Sequence, residues 1–164
     1  MSIINKPAMI LFCIFGVTPG IVVAAPVAEP TQDQQMEMTR ADIINQRKQI
    51  VAANMEITAD QAQVFWPLYQ KYTSAMQKVN DRELALIQGY ANAYNANTLT
   101  NAQAKSMFGE WMSIEEAALQ LKKKFAPKFE EILPSKKVVR FFQIDNKLDA
   151  MINFELARVI PLVR

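Results

Sequence analysis

Two short stretches of the same pattern each precede a long helical segment: Ile57-Thr58-Ala59-Asp60-Gln61 and Leu99-Thr100-Asn101-Ala102-Gln103. Both read aliphatic-Thr-x-x-Gln, a pattern typical of a capping box. In a capping box the Thr hydroxyl accepts a hydrogen bond from the amide three residues later. The Gln side chain in turn accepts one from the Thr amide. The sequence therefore predicts helix starts at Thr58 and Thr100, each preceded by an aliphatic residue, Ile57 or Leu99, and completed by Gln61 or Gln103.

Apolar residues recur at helical spacing from these starts onward, and the pattern predicts an all-α fold with four helices. The expected segments are about 39–54, 58–94, 100–132 and a fourth from Ser135 that stops before Pro161. Pro67 and Pro127 lie inside the second and third segments and are expected to kink them. Long kinked helices with short connectors favour an antiparallel helical hairpin over a compact four-helix bundle.

The third segment carries the most regular apolar stripe, which predicts that Trp111 is buried with the rest of that face. Trp66 precedes Pro67 and is expected either to fill the bend there or to be presented by it. Met76, Met107 and Met151 also fall on apolar stripes, where methionine usually serves as packing material.

The amino terminus resembles an export signal. Lys6 is the only charge within residues 1–28, and Val22-Val23-Ala24-Ala25 offers small residues for cleavage, which we expect after Ala24. The apolar run is short for a membrane span, so no stable span is expected after processing. Residues 29–38 are polar without periodicity and predict a mobile tail, which leaves residues 39–164 as a single helical domain.

The composition argues against most catalytic and metal-binding chemistry. The chain has no histidine, and its only cysteine, Cys13, lies in the predicted signal peptide. We therefore expect no catalytic residues, no enzyme activity, no cofactor and no metal site. After signal removal the chain carries 17 basic and 16 acidic residues, which gives no case for nucleic acid as a partner. The carboxylate pair Asp145 and Asp149 is expected on a solvated helix face.

A cluster of basic residues flanks several aromatic residues around the predicted turn between the third and fourth helices. One interpretation is a surface that attracts acidic unfolded chains and then holds their apolar side chains. The other is a core of phenylalanines with lysines that only keep the outer faces soluble. Phe142 lies beside the apolar stripe and is expected as an exposed contact. The candidate partner-binding residues are Lys122, Lys123, Lys124, Lys128, Lys136, Lys137, Arg140 and Phe142, with Phe125, Phe129 and Phe141 among them in sequence.

The paired motif, the export signal and the small helical domain together resemble the LTxxQ group of periplasmic proteins, the Spy/CpxP-like family. Ile132-Leu133-Pro134-Ser135-Lys136-Lys137 followed by Phe141 is similar to a later family stretch, with Pro134 in place of Thr and Lys137 in place of Gln. The resemblance covers roughly residues 40–160. It implies a helical hairpin that pairs into a curved, cradle-shaped homodimer in the periplasm.

The same resemblance implies a non-enzymatic protein-binding function. The leading hypothesis is an ATP-independent chaperone or envelope-stress adaptor similar to Spy, whose partners are unfolded or partly folded envelope proteins. The alternative is a CpxP-like regulator that docks on the periplasmic domain of a sensor kinase. A third hypothesis, a metal-stress sensor or resistance protein, is weakened by the absence of histidine.

Overall fold

The computed structural model describes residues 32–163, with the side chains of residues 41–163. This part of the chain forms four helices and no strand: α1 (Gln32–Met55), α2 (Ala59–Asn95), α3 (Asn101–Glu130) and α4 (Ser135–Val159). The predicted all-α class and the four helices are confirmed. The predicted signal peptide, with its cleavage near Ala24, lies outside the described residues. None of the helices described here has an apolar stretch long enough to cross a bilayer.

The first helix begins earlier than its sequence pattern indicates. The pattern predicts a start near Thr39, but α1 already begins at Gln32, so residues 32–38 are helical. Gln, Met and Glu have good helix propensity, and neither Pro nor Gly occurs between Thr31 and Trp66 to stop the helix. α1 ends where Glu56 adopts φ 49°, the left-handed conformation that commonly terminates helices.

Helices α2 and α3 form a long antiparallel pair. Phe65 near the start of α2 lies 5.7 Å from Phe129 near the end of α3, measured between ring centroids. Farther along α2, the Nε of Arg82 donates to Glu110 on α3 at 3.0 Å. With 37 residues, α2 is about 55 Å long at 1.5 Å per residue. α2 and α3 continue through Pro67 and Pro127, respectively.

The core lies at one end of this pair, where α1 and α4 complete a four-helix arrangement. α4 packs along α1 and also contacts α3. We call this region the packed end, and it combines a helical hairpin with a local four-helix bundle. Its buried residues are Val51, Met55, Phe65, Tyr69, Tyr72, Phe125, Phe129, Leu133, Val138, Phe141 and Leu148. Trp66 packs against this cluster, with its ring 5.0 Å from that of Phe65.

The opposite end contains the α2–α3 turn and the end of α4, and we call it the open end. Asn97 takes φ 54° in the turn. Tyr90 donates a hydrogen bond from its hydroxyl to the carbonyl of Pro161 at 2.8 Å, which ties the segment after α4 to α2. Between the two ends, Val79 of α2 and Ile114 of α3 are buried outside the main core. Several large apolar side chains at the open end are exposed, among them Phe108, Val159 and Leu162.

Candidate functional site

Both predicted capping boxes are present. The Thr58 hydroxyl accepts from the Gln61 amide at 3.3 Å, and the Gln61 side chain accepts from the Thr58 amide at 3.2 Å. At Thr100 the corresponding distances to Gln103 are 3.2 and 2.9 Å. Ile57 and Leu99 are half-buried beside them. The two motifs therefore define where α2 and α3 begin, which is a structural role.

Replacing Thr58 or Thr100 with alanine is expected to lower the free energy of unfolding by about 1 kcal/mol each, because the N3 amide loses its acceptor. Urea denaturation of each variant measures this change. Thr98→Ala is the matched control, since the Thr98 hydroxyl only reaches the Ala93 carbonyl at 3.5 Å. A Thr98→Ala protein as destabilised as Thr100→Ala would contradict the capping role.

The first motif is also held by α4, through two members of the predicted basic cluster. Lys137 donates from its ammonium to the Glu56 carbonyl at 2.8 Å and to the Gln61 side chain at 2.7 Å. Arg140 donates to the Glu56 carboxylate at 2.8 Å. These contacts hold the connection between α1 and α2 against the beginning of α4. Lys137 and Arg140 therefore contact this chain, although we predicted them as part of a partner surface.

The remaining cluster residues differ in their surroundings. Lys122 pairs with Asp149 at 3.1 Å, and the Lys128 ammonium lies 5.1 Å from the ring centroid of Phe125. Lys123, Lys124 and Lys136 are exposed and make no ion pair or hydrogen bond to residues 41–163. Of the predicted cluster, these three cations are the ones with neither such a partner nor a ring contact among residues 41–163.

Phe142 is not the exposed contact that its position beside the stripe predicted. Its ring is half-buried and packs against the core, 5.0 Å from Phe141, 6.0 Å from Phe129 and 6.1 Å from Tyr72. Because α4 contacts both α2 and α3, its buried face is wider than a single stripe. The interpretation that the phenylalanines form the core is the one the contacts support.

A polar network joins all four helices inside the packed end. Arg47 of α1 bonds Asp145 at 2.7 Å and Asp149 at 2.9 Å, both on α4. The hydroxyl of Tyr72 on α2 donates to Asp145 at 2.6 Å, and Lys122 of α3 completes the network at Asp149. Asp145 is only 4% exposed. The prediction of a solvated carboxylate face is therefore wrong for Asp145, because Arg47 of α1 and Tyr72 of α2 cover it.

The protonation states of this network follow from its burial and its charges. Burial lowers the pKa of Arg47, but the carboxylates of Asp149 and Asp145 outweigh it and leave that pKa raised. For the Tyr72 hydroxyl, burial raises the pKa, and the neighbouring Asp145 carboxylate raises it further. Tyr72 thus remains a protonated donor and Arg47 a cation. Each buried polar side-chain atom among residues 41–163 has a hydrogen-bond partner.

A carboxylate of α2, that of Glu83, lies near this network and has no ion pair with residues 41–163. Burial raises the pKa of Glu83, and the carboxylates of Glu115 and Asp149 raise it further. Within the described residues, no group of histidine, cysteine, aspartate and glutamate side chains is arranged to hold a metal ion. The carboxylates near Glu83 therefore offer no built cation site.

An exposed surface with two aromatic rings lies on α3 near the open end. Phe108, Trp111, Met112 and Leu119 form what we call the α3 patch. Phe108, Met112 and Leu119 follow spacings of four and seven residues on one helix face. Phe108 is 62% exposed, and its ring lies 5.8 Å from that of Trp111, which is 44% exposed. The predicted burial of Trp111 is wrong, because no other described element covers this side of α3.

The sequence does contain a signal for this patch. Phe108 and Met112 lie outside the stripe formed by Ala104, Met107 and Ile114, so a helix with one buried face must expose them. No family model, curated protein or solved structure matches this chain.

Proposed function

We propose that this protein is a non-enzymatic, ATP-independent factor that captures unfolded or partly folded envelope proteins in the periplasm, as a member of the LTxxQ group. The proposal includes pairing of two helical hairpins into a cradle-shaped homodimer. The exposed α3 patch is the single observation that carries the binding function. Contiguous exposed apolar surface usually marks a site of interaction with another molecule.

The chemistry of the α3 patch suits segments that are apolar and have no fixed shape. Aromatic rings and the flexible thioether of Met112 adapt to many apolar side chains. Lys123 follows Leu119 by one helical turn, so a cation borders the apolar stripe and can attract acidic clients. Capture on an open helix face depends on weak contacts that exchange, and such contacts need no nucleotide cycle.

We expect the purified protein to suppress aggregation of several unrelated unfolded substrates, and the double variant Phe108→Ser, Trp111→Ser to do so poorly. The concentration needed for half-suppression should rise about tenfold, since each of the two lost aromatic contacts removes roughly 0.7 kcal/mol and each 1.4 kcal/mol is about a factor of ten. Light scattering of chemically unfolded substrates on dilution measures this. Circular dichroism shows whether each variant is folded.

Phe154→Ser is the matched control, because Phe154 on α4 is 64% exposed and lies outside the α3 patch. It should suppress aggregation as well as the parent. Equal suppression by the parent and the double variant would remove the α3 patch as the capture surface. A protein that suppresses no aggregation but binds one sensor-kinase domain would replace this proposal with the regulator hypothesis.

A further inference from the structure

The outward face of α4 has a composition unlike that of any packed surface of the protein. Its residues recur at spacings of three and four, and all of them are exposed. Met151 and Phe154 are 67% and 64% exposed, in contrast to Phe141 and Leu148 on the buried face of the same helix. The members of this outward face are Lys136, Arg140, Gln143, Lys147, Met151, Phe154 and Arg158.

This outward face is positively charged along its length. Lys136 and Lys147 make no ion pair or hydrogen bond to the described side chains, whereas Arg140 pairs with Glu56 of the α1–α2 turn. Two of the acidic residues of α4, Asp145 and Asp149, are held by Arg47 and Lys122 on the other side of the helix.

The third acidic residue of α4, Glu155, borders the outward face and bonds Arg158 at 3.0 Å. None of the three carboxylates of α4 therefore lies on the face itself, and among the described residues the Glu56 carboxylate bonds it at Arg140.

Apolar groups are concentrated toward the end of this face. The Arg158 guanidinium lies 6.0 Å from the ring centroid of Phe154, so cation and ring are presented together. Beyond α4, Leu162 and Val163 are also exposed. A row of cations beside exposed apolar side chains is complementary to a lipid bilayer surface, where a layer of phosphate groups covers the hydrocarbon chains.

We propose that the outward face of α4 docks on the surface of an anionic lipid bilayer. Lys136, Lys147 and Arg158 lie among the lipid phosphates, while Met151 and Phe154 enter the boundary between headgroups and acyl chains. Lys136 to Arg158 spans about 33 Å of helix at 1.5 Å per residue, so the cations contact a plane and not a single group. The α3 patch belongs to a different helix and is not used in this docking.

The test is binding of the protein, isolated after any processing in the cell, to vesicles of phosphatidylglycerol and phosphatidylcholine. Sedimentation of the vesicles measures the partition coefficient. Binding should require phosphatidylglycerol and weaken as salt rises. The double variant Lys147→Gln, Arg158→Gln should lower the partition coefficient about tenfold, since each cation near an anionic surface contributes separately. Phe154→Ser should lower it about fivefold through lost apolar insertion.

Matched variants on α3 are the controls, and all proteins share the same amino terminus, so any contribution from it cancels. Lys123→Gln, Lys124→Gln removes two exposed cations, and Phe108→Ser removes a ring as exposed as that of Phe154. Both should bind vesicles like the parent. Equal losses in the α3 and α4 variants would overturn the proposal. Equal binding to vesicles of pure phosphatidylcholine, or no binding to any vesicle, would also overturn it. So would binding to soluble polyglutamate that is as tight as binding to the anionic vesicles and is unaffected by Phe154→Ser.

Discussion

Replacing Phe141 with alanine is expected to lower the free energy of unfolding by about 3–5 kcal/mol, because a large cavity replaces a fully buried ring. Phe141 is 0% exposed and lies at the centre of the packed end. A domain is typically stable by only about 5–15 kcal/mol, so this variant loses a large share of the total. The neighbouring ring centroids are those of Phe129 at 4.6 Å, Phe142 at 5.0 Å, Phe65 at 5.6 Å, Tyr72 at 5.7 Å and Tyr69 at 6.0 Å.

Urea denaturation followed by circular dichroism measures this loss, with an unchanged slope against denaturant as the sign of a pure stability effect. Phe141→Leu retains most of the volume and should cost about 1 kcal/mol, which keeps the comparison available if the alanine variant does not fold. Phe154→Ala is the control on the exposed face of α4 and should stay within about 0.5 kcal/mol of the parent. A Phe141→Ala protein no less stable than that control would contradict the assigned core.

Replacing Asp145 with alanine is expected to cost about 3–5 kcal/mol as well, for an electrostatic reason. The change leaves the Tyr72 hydroxyl without its acceptor and removes one of the two carboxylates that neutralise Arg47. Both groups are largely buried and cannot recover full hydration. Thermal and urea unfolding at neutral pH measure the loss.

Asp149→Ala is the matched control, because the side chain of Asp149 is 34% exposed. Water can replace part of the hydrogen bonding that Arg47 and Lys122 lose when the Asp149 carboxylate is removed. The free energy of unfolding should therefore fall by only about 1 kcal/mol. Tyr72→Phe should destabilise the parent more than it destabilises the Asp145→Ala protein, because the two groups share one hydrogen bond. Additive effects of these two substitutions would show that the network does not act as a unit.

Local sequence was sufficient for the elements and for several of their boundaries, including the start of α4 at Ser135. Helical spacing gives the all-α class, and the Thr-x-x-Gln boxes place the starts of α2 and α3 at Thr58 and Thr100, as observed. These features depend on residues within one or two helical turns of each other, so they can be predicted from the local sequence. The start of α1 was misplaced, because a polar segment of good helix formers has no apolar period to reveal it.

The exposed surface is harder to predict from the sequence than the helices are. Helical periodicity ranks residues by face, but it does not say how much of a face a neighbouring helix covers. Trp111 lies at the edge of its stripe and is exposed, because the outer side of α3 meets no helix that the structure describes. Phe142 lies beside its stripe and is packed, because its side of α4 meets both α2 and α3. Asp145 follows Phe141 by four residues and precedes Leu148 by three, a spacing that does indicate the buried face.

The sequence by itself therefore determined the four helices, two capped starts and the residue types available for binding. The tertiary structure decided which cations are free, since Lys137 and Arg140 meet a turn more than eighty positions earlier in the chain. It also decided that Arg47, Tyr72 and Lys122 converge on two carboxylates of α4. Pairings of this kind join residues far apart in the chain, and whether a charge is neutralised or available depends on which helices pack together.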